Sequence, residues 1–193
     1  EQNNLLRYID RPIRSPGDGL AQSSSIAGLK RNQNKFIDIG KNAMEFNKYA
    51  VNRLEDRNLV FTAEQISINL DKIVSTHLFA RLWENSVLKS FTLTTNGALT
   101  RNEHVVELKG NNGVSHLAAA CIGEGRFHHD DTVFVTHEGT DCESRQVFKK
   151  VLKKGAFGIF QGKILVKPGA QKTDGYQISQ SLLLDDDSQF LAK

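Results

Sequence analysis

The feature that most constrains the fold of this chain is a recurring short unit: an apolar-x-apolar triplet followed by a polar turn. It occurs at Ile37-Asp38-Ile39 before Gly40-Lys41-Asn42, and at Ile66-Ser67-Ile68 before Asn69-Leu70-Asp71. It returns at Val106-Glu107-Leu108 before the turn at 109–113, at Ile164-Leu165-Val166 before Lys167-Pro168-Gly169, and at Leu182-Leu183-Leu184 before Asp185-Asp186-Asp187. The first two units lie 29 residues apart, and Val106 to Ile164 spans 58, twice that; the gaps of 40 and 18 break the period. A fixed period of this size is the mark of a stacked-repeat architecture. A lone alternating strand of about five or six residues buries one face only and is not stable by itself. Stacked coils pair each strand with its equivalent above and below and continue one apolar column. The expected fold is therefore an all-β solenoid of stacked arcs.

A β-sandwich is the main competitor, since it also uses many short strands. It would join them by hairpins, yet Asn-Gly pairs occur only at Asn96-Gly97 and Asn112-Gly113. Helical stripes and caps are scarce. Ala43, Phe46, Ala50 and Leu54 fit a helical period, but Met44 and Phe46 fit a strand, and the surrounding texture favours the strand.

Two regions differ in texture. Residues 1–35 are polar and turn-rich, with Pro12, Pro16, Gly17, Gly19 and Ser23-Ser24-Ser25, and read as an arm or loop region. Residues 36–193 carry the repeat and read as the solenoid core. With 193 residues, 39% of them hydrophobic, the chain can fill one such core. Its apolar runs reach about half a dozen residues, against the ~18–20 needed to span a membrane as a helix. The only methionine is Met44 and residue 1 is Glu, so the sequence reads as a fragment or processed form.

The net charge of +3 is concentrated. Between Arg145 and Lys172 stand Arg145, Lys149, Lys150, Lys153, Lys154, Lys163, Lys167 and Lys172, with no acidic residue before Asp174. One reading is a solvated sheet face. The other is an interaction surface, led by Arg145, Lys149, Lys153 and Lys163, for nucleic acid or another anionic partner. The exposed aromatics that stack single-stranded bases are missing, since Phe148, Phe157 and Phe160 sit among apolar neighbours and read as core.

Metal-ligand residue types gather between Cys121 and Cys142: Cys121, His128, His129, Asp130, Asp131, His137, Asp141 and Cys142, with Glu143 next. Their spacing is poor. There is no Cys-x-x-Cys and no His-Glu-x-x-His, and adjacent His128 and His129 on a strand would face opposite ways. His128, His137 and Cys142 are the weak metal candidates left, and a polar ladder is the expected reading. Cys121, within an Ala-rich apolar run, reads as an inert buried thiol. Cys142, flanked by Asp141 and Glu143 in a polar loop, should have a raised pKa, which argues against a nucleophile. A Gly-x-Ser-x-Gly elbow, a Walker loop and a Gly-x-Gly-x-x-Gly run are all lacking. No catalytic residue is assigned, and the residues point to a binding or assembly domain.

Longer runs add a different kind of signal. These are Gly125-Arg126-Phe127-His128-His129-Asp130-Asp131-Thr132, Gly158-Ile159-Phe160-Gln161-Gly162-Lys163-Ile164, and Pro168-Gly169-Ala170-Gln171-Lys172-Thr173-Asp174-Gly175-Tyr176-Gln177, closing with Gln180-Ser181-Leu182-Leu183-Leu184. They closely resemble the SufB/SufD family of iron–sulfur cluster assembly scaffold subunits, the SufD branch above all. The resemblance is strong over 125–184, holds by texture from about 60, and is poor over 1–58.

It implies a right-handed parallel β-helix and a non-catalytic, cytoplasmic scaffold, an organelle stroma being the other compartment open to it. The implied partners are a SufC-like ATPase and a SufB-like paralogue, or a second copy of itself. No cofactor is expected on this chain; an iron–sulfur cluster would be held transiently by the full complex. The family's Cys-x-His-Gly motif and SufC-docking helices would lie beyond Lys193, so no cluster ligand is carried over. Where the family has Gly, this chain has Lys150 and Lys154; on an outer face these would extend the basic stripe. Gln171, Lys172, Thr173 and Asp174 are family-motif residues expected to be structural, alternating on a strand after the Pro168-Gly169 turn and bonding a neighbouring coil's backbone.

Overall fold

The computed structural model describes residues 29–39, 42–54, 58–66 and 73–193, and every described element is a strand. They are β1 (Leu29–Ile39), β2 (Asn42–Leu54), β3 (Asn58–Ile66), β4 (Ile73–Leu82), β5 (Val87–Thr95) and β6 (Leu99–Leu108). There follow β7 (Val114–Glu124), β8 (His128–His137), β9 (Glu143–Lys153), β10 (Phe157–Val166), β11 (Asp174–Leu183) and β12 (Gln189–Ala192). The even-numbered strands, with β1 at the edge, stack into one sheet in the order β1-β2-β4-β6-β8-β10-β12. Odd-numbered strands stack into a second, β11-β9-β7-β5-β3. The chain thus alternates between two facing sheets and climbs one strand per coil, which makes a β-solenoid.

From β2 onward every pairing is parallel, with the partner 26 to 32 residues further along. Val106, Val135 and Ile164 are successive register partners, so the 58-residue spacing is two coils of one column. Ile37 and Ile66 lie in different sheets, so their 29-residue spacing is not a coil repeat. The only antiparallel pair among the described strands is β1 with β2. Met44 and Phe46 lie on β2, as the strand reading has it. β1 starts at Leu29 and so crosses the 35/36 boundary; residues 1–28 of the arm, and the turns at 40–41 and 67–72, lie outside the described residues.

The sheets alternate cleanly. Along β7 the inward positions Ser115, Leu117, Ala119 and Cys121 are buried and their neighbours are half-buried or exposed. Leu82, Leu88, Val106, Leu108, Leu117, Val135, Phe148 and Phe160 fill the main core. Cys121, Phe127, Leu152 and Ala156 form a second cluster towards the other corner. Phe148 and Phe160 are core as expected. Phe157 is not: strand alternation turns it outward, where its ring meets His128 at 5.0 Å.

Two stacks of corners join the sheets. In the even-to-odd corners Asn85, Asn112, Asp141 and Lys172 recur with φ of 50 to 57°, the left-handed conformation that Asn and Asp accept more readily than most residues. Backbone bonds repeat there from coil to coil, Asn85 N to Asn111 O, Asn112 N to Thr140 O and Asp141 N to Gln171 O, each 3.0 Å. Side chains reinforce the stack. Asn111 Oδ1 accepts from the Thr140 amide and hydroxyl, and Asn112 Nδ2 donates to Asn85 Oδ1.

Candidate functional site

β8 and β9 face each other across the lumen, and there the chain places its least expected residue. On β9 the inward positions run Ser144, Gln146, Phe148, Lys150, Leu152. Lys150 is therefore not on an outer face and adds nothing to a basic stripe; its side chain is fully buried. Its Nζ donates to Asp131 Oδ2 at 2.5 Å and to His129 Nδ1 at 2.6 Å, both inward residues of β8. Asn102 Nδ2, one coil below on β6, donates to Asp131 Oδ1 at 3.1 Å. Gly158, one coil above His129, leaves room for the lysine stem: an added Cβ would stand 3.1 Å from Lys150 Cδ.

The protonation states follow from this geometry. Burial, with Lys150 beside it, pushes the His129 imidazole down to about 3, so the ring is neutral and its Nδ1 accepts a hydrogen bond from the lysine. Burial by itself would raise the Asp131 carboxyl. The Lys150 ammonium and the hydrogen bonds from Lys150 and Asn102 overcome that and hold it below the usual carboxylate range. Cys121 is the register partner of Lys150 on β7, and burial raises its thiol to about 12. It is an unreactive thiol at neutral pH.

Of the nine residues between Cys121 and Glu143, the fold brings together Cys121, His129 and Asp131 and scatters the rest. His128 faces outward at one end of β8 and His137 inward at the other, about 30 Å away at strand rise. Asp130 points outward near Arg101. Glu143 is held by His116 and Arg145 at the surface. Cys142 is not in a polar loop environment. It is buried in the main core, its Sγ donating to Gly110 O at 3.3 Å. Burial raises its pKa first, with Glu84 and Asp141 adding to it. Among the described residues no three His, Cys, Asp or Glu side chains are grouped as a metal ion would need.

The eight basic residues do not share a face. Arg145, Lys149 and Lys153 point outward from the odd-strand sheet, Lys163 outward from the even-strand sheet, and Lys154, Lys167 and Lys172 occupy corners. Most have local partners. Arg145 pairs with Glu143 and Asp174. Lys153 and Lys154 share Glu124, and Lys149 donates to the Gln180 amide oxygen. Lys163 lies 5.4 Å from the Phe134 ring. The motif residues Gln171, Lys172 and Thr173 are corner residues, since β11 starts only at Asp174; they do not alternate on a strand. They do join coils: Gln171 O accepts from Asp141 N, and Asp174 N donates to Cys142 O. Thr173 Oγ1 closes its own turn on Ala170 O.

The family model described as SUF system FeS cluster assembly, SufBD core domain, matches residues 60–193, the stretch that forms these coils. The chain belongs to the SufBD family. SufBD proteins are assigned to iron–sulfur cluster assembly. An iron–sulfur cluster assembly SufBD family protein of Mycobacterium leprae is 26% identical over 112 residues, covering 54% of this chain and 29% of the relative. A corresponding protein of Mycobacterium bovis is 25% identical over 114 residues, 55% of this chain and 29% of its own. The iron–sulfur cluster assembly protein SufD of Escherichia coli is 26% identical over 113 residues, 56% of this chain and 27% of that protein. The match thus spans under a third of each relative's length. No solved structure matches. Among the described residues no helix is long and apolar enough to cross a membrane.

Sequence reasoning missed the lumen cluster as a unit, because Lys150 was grouped with its charged neighbours. The signal was present: Phe148 and Leu152 are inward core residues, and two-residue periodicity puts Lys150 between them on the same face.

Proposed function

We propose that this chain is the β-helical core of a SufD-like scaffold subunit, which holds partners in place for iron–sulfur cluster assembly and performs no chemistry of its own. The observation that carries the reading is the match of the SufBD core model to the same residues that build the stacked coils. The interior supports it. The titratable groups brought together in the lumen are locked to one another, with a neutral imidazole, a paired carboxylate and a thiol raised far above neutrality. That arrangement lacks an activated nucleophile, and it suits a rigid support.

In this reading the partners are a SufC-like ATPase, which supplies ATP chemistry, and a SufB-like paralogue, and the setting is the cytoplasm. The cluster is cargo of the assembled complex. The test is co-expression of the gene product carrying this chain with the SufC-like and SufB-like proteins of the same organism. Co-elution of all three, with ATPase activity only when the SufC-like protein is present, is expected. Elution of this protein alone, while the other two associate, would overturn the reading.

A further inference from the structure

The two sheets differ on their outer faces. That of the even-strand sheet is laced with ion pairs, His77 to Glu103, Arg81 to Glu107 and Arg101 to Asp130. The middle of the odd-strand face is apolar instead. There β5 turns Phe91 and Leu93 outward, their register partners on β7 are Ala118 and Ala120, and those on β9 are Val147 and Lys149. Phe91 is 42% exposed, and Ile122, two residues beyond Ala120, is 49% exposed. A parallel sheet whose outer side chains are apolar is one that another element covers.

The relief of this face is uneven. Phe91 and Leu93 stand up from β5, while the two alanines leave a trough along β7, between β5 and β9, which lie two strand spacings or about 10 Å apart. Lys149 shares a column with Leu93 and Ala120, and the position of that column on β3 belongs to Glu64. The Lys149 ammonium donates to the Gln180 amide oxygen and has donors to spare.

We propose that this face pairs with the same face of a second copy of the chain, about a two-fold axis that runs parallel to the strands over the gap between β5 and β7. Sheets pack face to face with their strands nearly aligned. Such an axis keeps every column opposite itself and lays β5 of each copy on β7 of the other. Phe91 then enters the trough over Ala118 of the second copy, Leu93 fills it over Ala120, and both contacts occur twice. β9 falls opposite β3, which brings Lys149 to the Glu64 position. An axis over β7 itself would set Lys149 against Leu93, and one over the gap between β7 and β9 would set it against Ala120. Neither offers the ammonium a carboxylate. Four strands face four, about 19 Å across and about 30 Å long, or roughly 600 Å² before side-chain relief is added. Stable interfaces take about 800 Å² from each partner, so the face has the size of a dimer of about micromolar affinity.

Sedimentation velocity of the whole chain, from about 1 to 100 µM, tests this, and the dimer fraction should rise across that range. Phe91→Glu puts a charge into the trough and should leave a monomer throughout, with the strand circular dichroism unchanged. Lys149→Glu should weaken the dimer by about tenfold or more, and adding Glu64→Lys should restore it. Leu191→Glu, an exposed position on the even-strand sheet, should leave the dimer as it is. A monomer at about 100 µM, a dimer that survives Phe91→Glu or is lost in Leu191→Glu, or a charge swap that restores nothing overturns the proposal. If Phe91→Glu fails to fold, the charge swap decides.

Discussion

Lys150 Nζ and Asp131 Oδ2 stand 2.5 Å apart across the lumen, with side-chain exposures of 0% and 1%. A buried pair of this kind gains little net stability over apolar residues of similar size, but breaking one half strands a charge. Lys150→Met should therefore cost about 3–5 kcal/mol, and Asp131→Leu a similar amount. The double variant should recover much of the loss, because neither charge remains. Urea unfolding of the four proteins checks this. Additive losses would mean that the two residues act independently.

Acid should unfold the protein through its buried histidines. His104, His129 and His137 all have pKa values lowered by burial, His129 to about 3. The unfolded chain protonates each near 6.5 while the folded chain does not. Their contribution is thus complete above about pH 6.5 and is lost as pH falls. Asp131, held below its ordinary value, adds a loss only below about pH 4, as the unfolded carboxyl protonates first. Stability measured from pH 7 to 4.5 should fall by up to about 1.4 kcal/mol per pH unit for His129, with His104 and His137 adding to the loss in the same direction. Replacing His129 with Gln should flatten the slope by about one proton. A profile that is flat between pH 6.5 and 4.5 contradicts the assignment.

How much of this was legible in the sequence depends on which residues are asked. Val106 and Ile164 declared the coil repeat because both occupy one inward column, where each coil must supply an apolar side chain. The gap of 18 between Ile164 and Leu182 looked irregular only because it joins the two sheets of a single coil. Lys150 was obscured by its charge. Burying it is costly in general, and only a partner on the facing strand, 19 to 21 residues away in the linear sequence, reverses the expectation. Cys142 was misjudged for the complementary reason. Asp141 and Glu143 are polar, but Asp141 turns the chain at φ 56° and the thiol folds inward to Gly110 O.

The corner stack makes a sharp distinction between glycines. A Cβ on Gly139 would lie 2.0 Å from Gly110 O, and one on Gly110 would lie 2.3 Å from Glu84 N. Both contacts are with backbone of the adjacent coil, which cannot swing aside. Gly125 has φ +68° but open space around its missing side chain. Gly125→Ala should cost only the left-handed penalty of about 1–2 kcal/mol. Gly139→Ala carries no left-handed penalty but must separate two coils, and should cost clearly more. Thermal melts that rank Gly125→Ala as the worse of the two would refute the tight stacking.

A ladder of alternating charge runs up the same corner. Glu138 Oε1 accepts from Lys109 at 2.6 Å and from Lys167 at 2.9 Å, residues 29 before and 29 after it. Its carboxyl is held low by the hydrogen bond from Lys109 and then by Lys167. Unlike Asp131, all three groups reach solvent, where ion pairs contribute about 1 kcal/mol or less and are screened over about 8 Å at physiological salt. Glu138→Gln should therefore lower stability by under about 1 kcal/mol in dilute buffer, and the loss should shrink further in 0.5 M salt. The Lys150→Met loss should persist at the same salt, because no counter-ion reaches the lumen. Denaturation of both variants at low and high salt tests the contrast. A Glu138→Gln loss as large and as salt-resistant as that of Lys150→Met would show that the corner ladder, and not the buried pair, holds the coils in register.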